Sequence, residues 1–350
     1  MREPARPQRP RLRPGVAVLH RRTGEIQVGL DPRRARVFAE LPDQVVAAAA
    51  GLTGGRTTEE LLAQVGPHGA AMVELLADLV GHGLVEDAGA VTPALPRRLV
   101  ADDTAAAGRS PTAAPSDRAG LGVRIHGDGR LAVAIGCLLA EAGVGQVHVH
   151  ARGEVAAEDV GAGLRRADIG RPRQEAAHDA ITRAEDSVGT QRFTRRRPDL
   201  VLLTDAVVPR PDLVADVMAA RLPHLCARVR DGVGIVGPFV VPGVSGCLRC
   251  ADHQRTDLDP CWPLVAAQLA GRSQAADLAT VHATAGVAAA QALDALGWLR
   301  EPSKSPPSTW NTAVEIDAFA ATLDRRPWSP HTACGCRAAT RPDYRGLFGR

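Results

Sequence analysis

The chain has 350 residues, of which 45% are apolar and 23% charged. This is the composition of a folded chain of two or three domains, not of a disordered one. The formal charge of +3, from 42 basic against 39 acidic residues, is too balanced to argue for nucleic acid. No apolar run reaches the ~20 residues of a membrane helix and the N-terminus carries no apolar signal core, so a cytoplasmic location is expected.

Residues 1–14 are rich in Arg and Pro and read as a disordered tail, with structure starting at Gly15. Val16 to Val28 alternates around an RRTGE turn, which predicts a hairpin. Asp31-Pro32 then offers a helix start leading into RRARVFAEL. Thr57 with Glu60 fits a capping box, and Met72, Val73, Leu76, Leu79 and Val80 stripe a further helix. Residues 15–87 are therefore expected to form a small winged-helix-like domain. Its last helix carries Glu74 and Asp78 rather than a basic face, which disfavours DNA. Residues 88–120 are rich in Ala, Pro, Thr, Ser and Asp and read as a linker.

From Gly122 the pattern becomes βαβ. Predicted strands at Val123–Ile125, Val147–Val149, 199–205 and HLCARVR alternate with predicted helices, which marks a mostly parallel sheet covered on both faces. GVGIVGPFVVPG reads as two short strands, and helices are expected from Trp262 and over Gln274–Trp298, followed by strand TAVEIDAF. The fold class is α/β, with a Rossmann-like domain over 121–340 and a C-terminal tail over 341–350.

Gly127-Asp128-Gly129 lies between a predicted strand and a predicted helix. In a nucleotide loop Gly127 permits the turn, Gly129 lets a phosphate approach the helix N-terminus, and Ala132 stands in for the third glycine. An acidic residue to hold a ribose is missing after the second strand, where His150, Ala151 and Arg152 stand. That absence, with no hydride-transfer site visible, disfavours an NAD-dependent dehydrogenase. The site is either a working nucleotide loop or a decayed one. Lys304, the only lysine, falls in a segment that reads as linker.

The seven cysteines are an odd number in a chain with no export signal, which directs attention to metal. Cys247-x-x-Cys250 and Cys334-x-Cys336 offer four thiolates for a closed tetrahedral zinc site. A redox role for CLRC is disfavoured because it does not open a helix in a thioredoxin-like βαβ unit. His253 and His331 read as bystanders, Cys137 and Cys226 as core, and Cys261 as inert unless a helix N-terminus activates it.

This order of features resembles the ThiF-type, ubiquitin-activating-like adenylyltransferases. It is most similar to the ThiF-like proteins of ribosomal-peptide clusters, which have an N-terminal PqqD-like recognition domain. The resemblance rests on GxGxLA at 127–132, LLAEAGVGQVHV, Asp168-Ile-Gly-Arg with Arg173, Thr204-Asp205 and the two cysteine pairs. It implies a homodimer that binds ATP and magnesium at the glycine turn, with Asp205 serving Mg-ATP. It also implies an acid after the second strand, an Asn/Arg pair and a lysine. Here the acid is Ala151 or a neighbour, no asparagine precedes Arg165 and Arg166, and Arg173 stands at the lysine position. Arginine is not an isosteric replacement for these groups. The resemblance therefore implies a scaffold that binds a precursor leader peptide and presents it to a YcaO-like cyclodehydratase. The alternative is an adenylyltransferase acting on a peptide or sulfur-carrier C-terminus, with Arg165, Arg166 and Arg173 working around Asp205.

Overall fold

The computed structural model describes residues 6–32, 35–89, 96–102, 105, 115–302, 305–336 and 338. The chain divides into two compact units, Met1–Ser116 and Asp117–Arg350.

In the first unit, strands β1 (Pro10–Leu12) and β5 (Val85–Asp87) pair antiparallel. Strands β2 (Val18–Arg22), β3 (Glu25–Val28) and β4 (Arg36–Phe38) form a three-stranded antiparallel sheet with β3 in the middle. Helices α1 (Asp43–Ala50), α2 (Thr58–Val65) and α3 (Gly69–Gly81) pack their buried Val45, Leu61, Met72, Leu75 and Leu79 against Ile26 and Val28. The expected capping box is present: Thr57 Oγ1 accepts from the Glu60 N–H at 3.1 Å, and Glu60 accepts from the Thr57 N–H at 2.7 Å.

Two expectations change here. The segment 1–14, expected to be a tail, contains β1, whose Pro10–Leu12 pair with Val85–Asp87 of β5. The helix expected from Asp31-Pro32 is instead β4, held to β3 by a register running from Ile26–Phe38 to Val28–Arg36. Val37 and Phe38 favour an extended chain, and Arg36 is drawn to α3 by a two-pronged ion pair with Asp78 at 2.8 and 2.9 Å. The helix starts after Pro42, where the alanine-rich run begins.

The second unit holds a seven-stranded sheet of order β12-β11-β10-β9-β8-β6-β7. Strands β6 (Gly122–His126), β7 (Gln146–His150), β8 (Leu200–Thr204) and β9 (His224–Arg230) run parallel. Strands β10 (Val233–Val240), β11 (Thr312–Asp317) and β12 (Thr322–Pro327) extend it antiparallel. The period of two along β8 explains its wholly apolar sequence. Leu200 and Leu202 enter one core with α4 (Arg130–Glu141), α5 (Arg173–Ala184) and the alanine-lined α9 (Leu278–Arg300). Val201 and Leu203 enter a second, smaller core with α6 (Pro211–Ala219) on the opposite face.

The parallel half carries the glycine turn between β6 and α4, as expected. GVGIVGPFVV is one strand rather than two, with an irregularity in register between Val236 and Phe239. Two elements had no strong signal in sequence: β12, whose residues are all exposed, and α7 (Leu248–Leu258), which follows Cys247 directly. Helix α8 (Trp262–Leu269) then leads towards α9. Lys304 and the tail over 341–350 lie outside the described residues.

Candidate functional site

Strand β6 lies between β7 and β8, and its connection through α4 leads to β7, so the crevice at the C-terminal ends of β6 and β8 is the topological switch point of the parallel half. In open α/β sheets ligands bind at that point. Two features meet there, the glycine turn and Asp205. Asp205 follows β8 in a left-handed conformation, φ +66°, one that aspartate tolerates better than most residues.

The Asp205 carboxylate is buried against the N-terminus of α4. It accepts a hydrogen bond from the Thr204 hydroxyl at 2.9 Å, and the nearby backbone N–H groups of Gly129 and Leu131 act on it electrostatically. Burial pushes its pKa up to about 6, against the opposing pull of these donors. The geometry gives a new reason for the glycines. A Cβ at Gly127 would collide with the Thr204 hydroxyl and the Asp205 carboxylate, and one at Gly129 with the same carboxylate. The turn expected to admit a phosphate is shaped around a carboxylate of the chain itself. Ala132 is fully buried on α4, where its small side chain permits close packing on the sheet.

A cavity of about 230 Å³ opens beside this turn, lined by His126, Asp128, His150, Arg152, Asp205 and Arg210 among others. Its two arginines already have partners. Arg152 pairs with Asp128 at 3.1 Å, with its backbone N–H on the same carboxylate at 2.7 Å. Arg210 pairs with Asp212 at 3.0 Å. The His126 and His150 rings meet edge to face at 5.3 Å. Burial and nearby cationic groups hold His126 down to about 3, so it is neutral at physiological pH. His150 ends β7, where an acid was sought, and His126 ends the neighbouring β6; neither was singled out as a site residue from the sequence.

The other candidate arginines lie elsewhere. Arg165 and Arg166 are exposed around a short 3₁₀ turn at Arg166–Asp168. That turn is organised by buried Asp168, which accepts from the Arg165 N–H and pairs with Arg171 at 2.8 Å. Arg173 is paired with Asp159. None of the three lines the cavity at Asp205.

The two cysteine pairs do converge. The sulfurs of Cys247, Cys250, Cys334 and Cys336 all lie within 4.8 Å of one another. The separations are 3.9 Å for Cys247–Cys250, 3.6 Å for Cys247–Cys334 and 3.5 Å for Cys250–Cys336. A tetrahedron with Zn–S bonds of about 2.3 Å has edges of about 3.8 Å, so the donor set fits zinc in both chemistry and spacing. Donation from neighbouring thiols favours the thiolate of Cys250, while Cys247 is pushed up by donating to it and by burial. Cys247 caps α7, so CLRC does open a helix, contrary to expectation. The disfavoured redox reading then turns on the convergence of four sulfurs instead of two. His331 stacks on His253 and bonds Asp257 at 2.9 Å, and neither histidine belongs to the cluster.

The crevice, the parallel half with its antiparallel extension and the helices on both faces define a Rossmann-like, ThiF-type fold. Solved structures with this fold include Escherichia coli MccB crystallised with ATP, at TM-score 0.72 and 14% identity, covering 94% of this chain and 99% of that one. The microcin C7 biosynthetic enzyme MccB in complex with N-formylated MccA matches at TM-score 0.70 and 14% identity, covering 94% and 99%. PaaA matches at TM-score 0.66 and 16% identity, covering 90% and 98%. No protein-family model and no curated protein matches the chain. No helix among the described residues is long and apolar enough to cross a membrane.

Proposed function

We propose that the protein is a precursor-peptide-binding scaffold of ribosomal peptide biosynthesis, built on an adenylation-type fold that no longer adenylates. The observation that supports this is the pairing of charge in the crevice. Asp205 is buried in the glycine turn with the Thr204 hydroxyl bonded to it, Asp128 holds Arg152, and Asp212 holds Arg210. Stabilising a transferring phosphoryl group needs several free donors and cations aimed at one place. Here those groups are already paired with one another, and Arg165, Arg166 and Arg173 point to other duties.

In this reading the first unit is the winged-helix-like, PqqD-like recognition domain. Strand β3 is flanked on both sides, so the leader peptide adds at the edge of β2, where Leu19 is 39% exposed, or of β4. The core of the peptide passes to a YcaO-like cyclodehydratase, the scaffold is a homodimer, and the four cysteines hold a structural zinc. Titration of a labelled leader peptide, encoded beside the gene, against the full chain tests this reading. Saturable binding without nucleotide is expected, and binding only in the presence of ATP would contradict it.

A second reading, an adenylyltransferase acting on a peptide carboxylate, is favoured by one observation. The chain shares its fold over nearly its whole length with MccB, whose structures contain ATP and MccA. It requires Asp205 to leave the helix terminus and take up Mg-ATP. The two readings separate on pyrophosphate exchange.

A further inference from the structure

On the α6 face of the sheet lies a second and larger cavity, of about 570 Å³, within the size range of small-molecule sites. Its walls are mainly apolar, drawn from Val207, Val214, Met218, Pro238, Pro263 and Ala266, and the cysteine cluster forms one side. Two features of the chain open it. One extra residue in β10, where Gly237 and Pro238 stand opposite Cys226 alone, interrupts its pairing with β9, and Pro238 lines the cavity there. Helix α8, which buries none of its residues, covers the cavity loosely.

Arg228 lines this cavity too, and it is out of character there. It stands on β9, whose alternation turns Cys226 into the α6 core; Arg228, two residues on, shares that face. Arg228 is 6% exposed, and among the described residues its guanidinium makes no hydrogen bond or ion pair. The neighbouring Arg255 is different: it pairs with Asp252 at 3.0 Å and lies over the rings of Trp262 and Trp328. Arg249 is exposed to water. An unpaired buried charge is costly, and one partner of opposite sign would relieve it.

We infer that this cavity binds a small organic carboxylate with an apolar body, its carboxylate seated on Arg228 and its hydrocarbon portion on the valine, proline and methionine walls. A buried guanidinium with no direct partner matches one monoanion, and a guanidinium meets a carboxylate with two parallel hydrogen bonds; Asp252 and Glu315 act on Arg228 only at longer range. Burial lowers the pKa of Arg228 to about 10, which leaves it charged at neutral pH and ready for such a partner. A free carboxylic acid and the C-terminal residue of an apolar peptide present the same chemistry.

Calorimetry on the full chain with decanoate, with N-acetyl-Val-Leu and with decanol tests the site. At least one of the two acids should bind saturably and at least tenfold more tightly than decanol, and the tighter acid identifies the source of the carboxylate. Arg228→Met should abolish that preference for the acid over decanol. Because Arg228 is buried, Ala266→Trp provides a second variant, filling the cavity from the partly exposed side of α8. It should reduce acid binding at least tenfold without a change in thermal unfolding. Equal binding of decanol and both acids, no binding of either acid up to about 5 mM, or acid binding unaffected by a folded Arg228→Met or Ala266→Trp protein would overturn the inference.

Discussion

The carboxylate of Asp205 occupies the space that a side chain at Gly129 would take, beside the N-terminus of α4. One residue thus closes the end of β8 and fills the turn that opens α4. A glycine turn of this kind is usually read as room for a ligand. Here it is filled from within the chain.

The first consequence is steric. Gly129 has an ordinary extended backbone, so Gly129→Ala strains nothing but the contact with Asp205. Overpacking of this kind costs about 1–3 kcal/mol. Chemical denaturation should show a loss in that range for Gly129→Ala and much less for Gly129→Ala combined with Asp205→Gly. Equal losses in the two proteins would place the clash elsewhere.

The second consequence is a pH dependence. The native pKa of Asp205 is raised from 3.8 to about 6, so the folded state holds the proton more tightly than the unfolded state does. The stabilising contribution is complete below pH ~4 and is lost as pH rises through ~6, by about 3 kcal/mol at most. Asp205→Asn should therefore gain stability relative to the parent between pH 4 and pH 7. A difference between the two proteins that stays flat across this window would contradict the burial argument.

Much of the parallel half was legible because its signals are local: apolar strands, a glycine turn, helices of regular period. The capping box at Thr57 was equally plain. What could not be read depended on partners distant in sequence. Residues 36–38 become a strand because β3 supplies hydrogen bonds and Asp78 an ion pair from α3, whereas the local Asp-Pro motif favoured a helix. The exposed β12 carries no apolar alternation at all. At the site, Gly127, Gly129 and Asp205 were each singled out, but only the fold shows that they fill one another's space. The four cysteines were identified by pair spacing. Arg228 shares the alternating face of β9 with His224, Cys226 and Arg230, so the strand's mixed sequence carries no signal that sets its buried charge apart.

The third prediction concerns the cysteine cluster. Protein purified without chelator should carry about one zinc per chain. Cys334→Ser should lose the metal and several kcal/mol of stability. Cys261→Ser, on an exposed residue outside the cluster, should do neither. Metal content well below one per chain, or an inert Cys334→Ser, would remove zinc from the account.

A fourth prediction isolates the first unit. Thr57→Ala removes the acceptor for the Glu60 N–H and should cost about 1 kcal/mol, the usual value for an N-cap. Amide exchange at Glu60 and Leu61 should accelerate by about fivefold if α2 opens locally. Unchanged protection at both amides would show that packing of Leu61 alone holds the helix start.

The central claim, a peptide-binding scaffold with no adenylation chemistry, is tested most directly by isotopic ATP–pyrophosphate exchange. The measurement uses the full chain with magnesium, ATP and a saturating concentration of the precursor peptide. The account predicts exchange no faster than in buffer, with the same result for Asp205→Ala, while the peptide remains bound. Exchange that depends on the peptide and disappears in Asp205→Ala would contradict it and establish the adenylyltransferase reading.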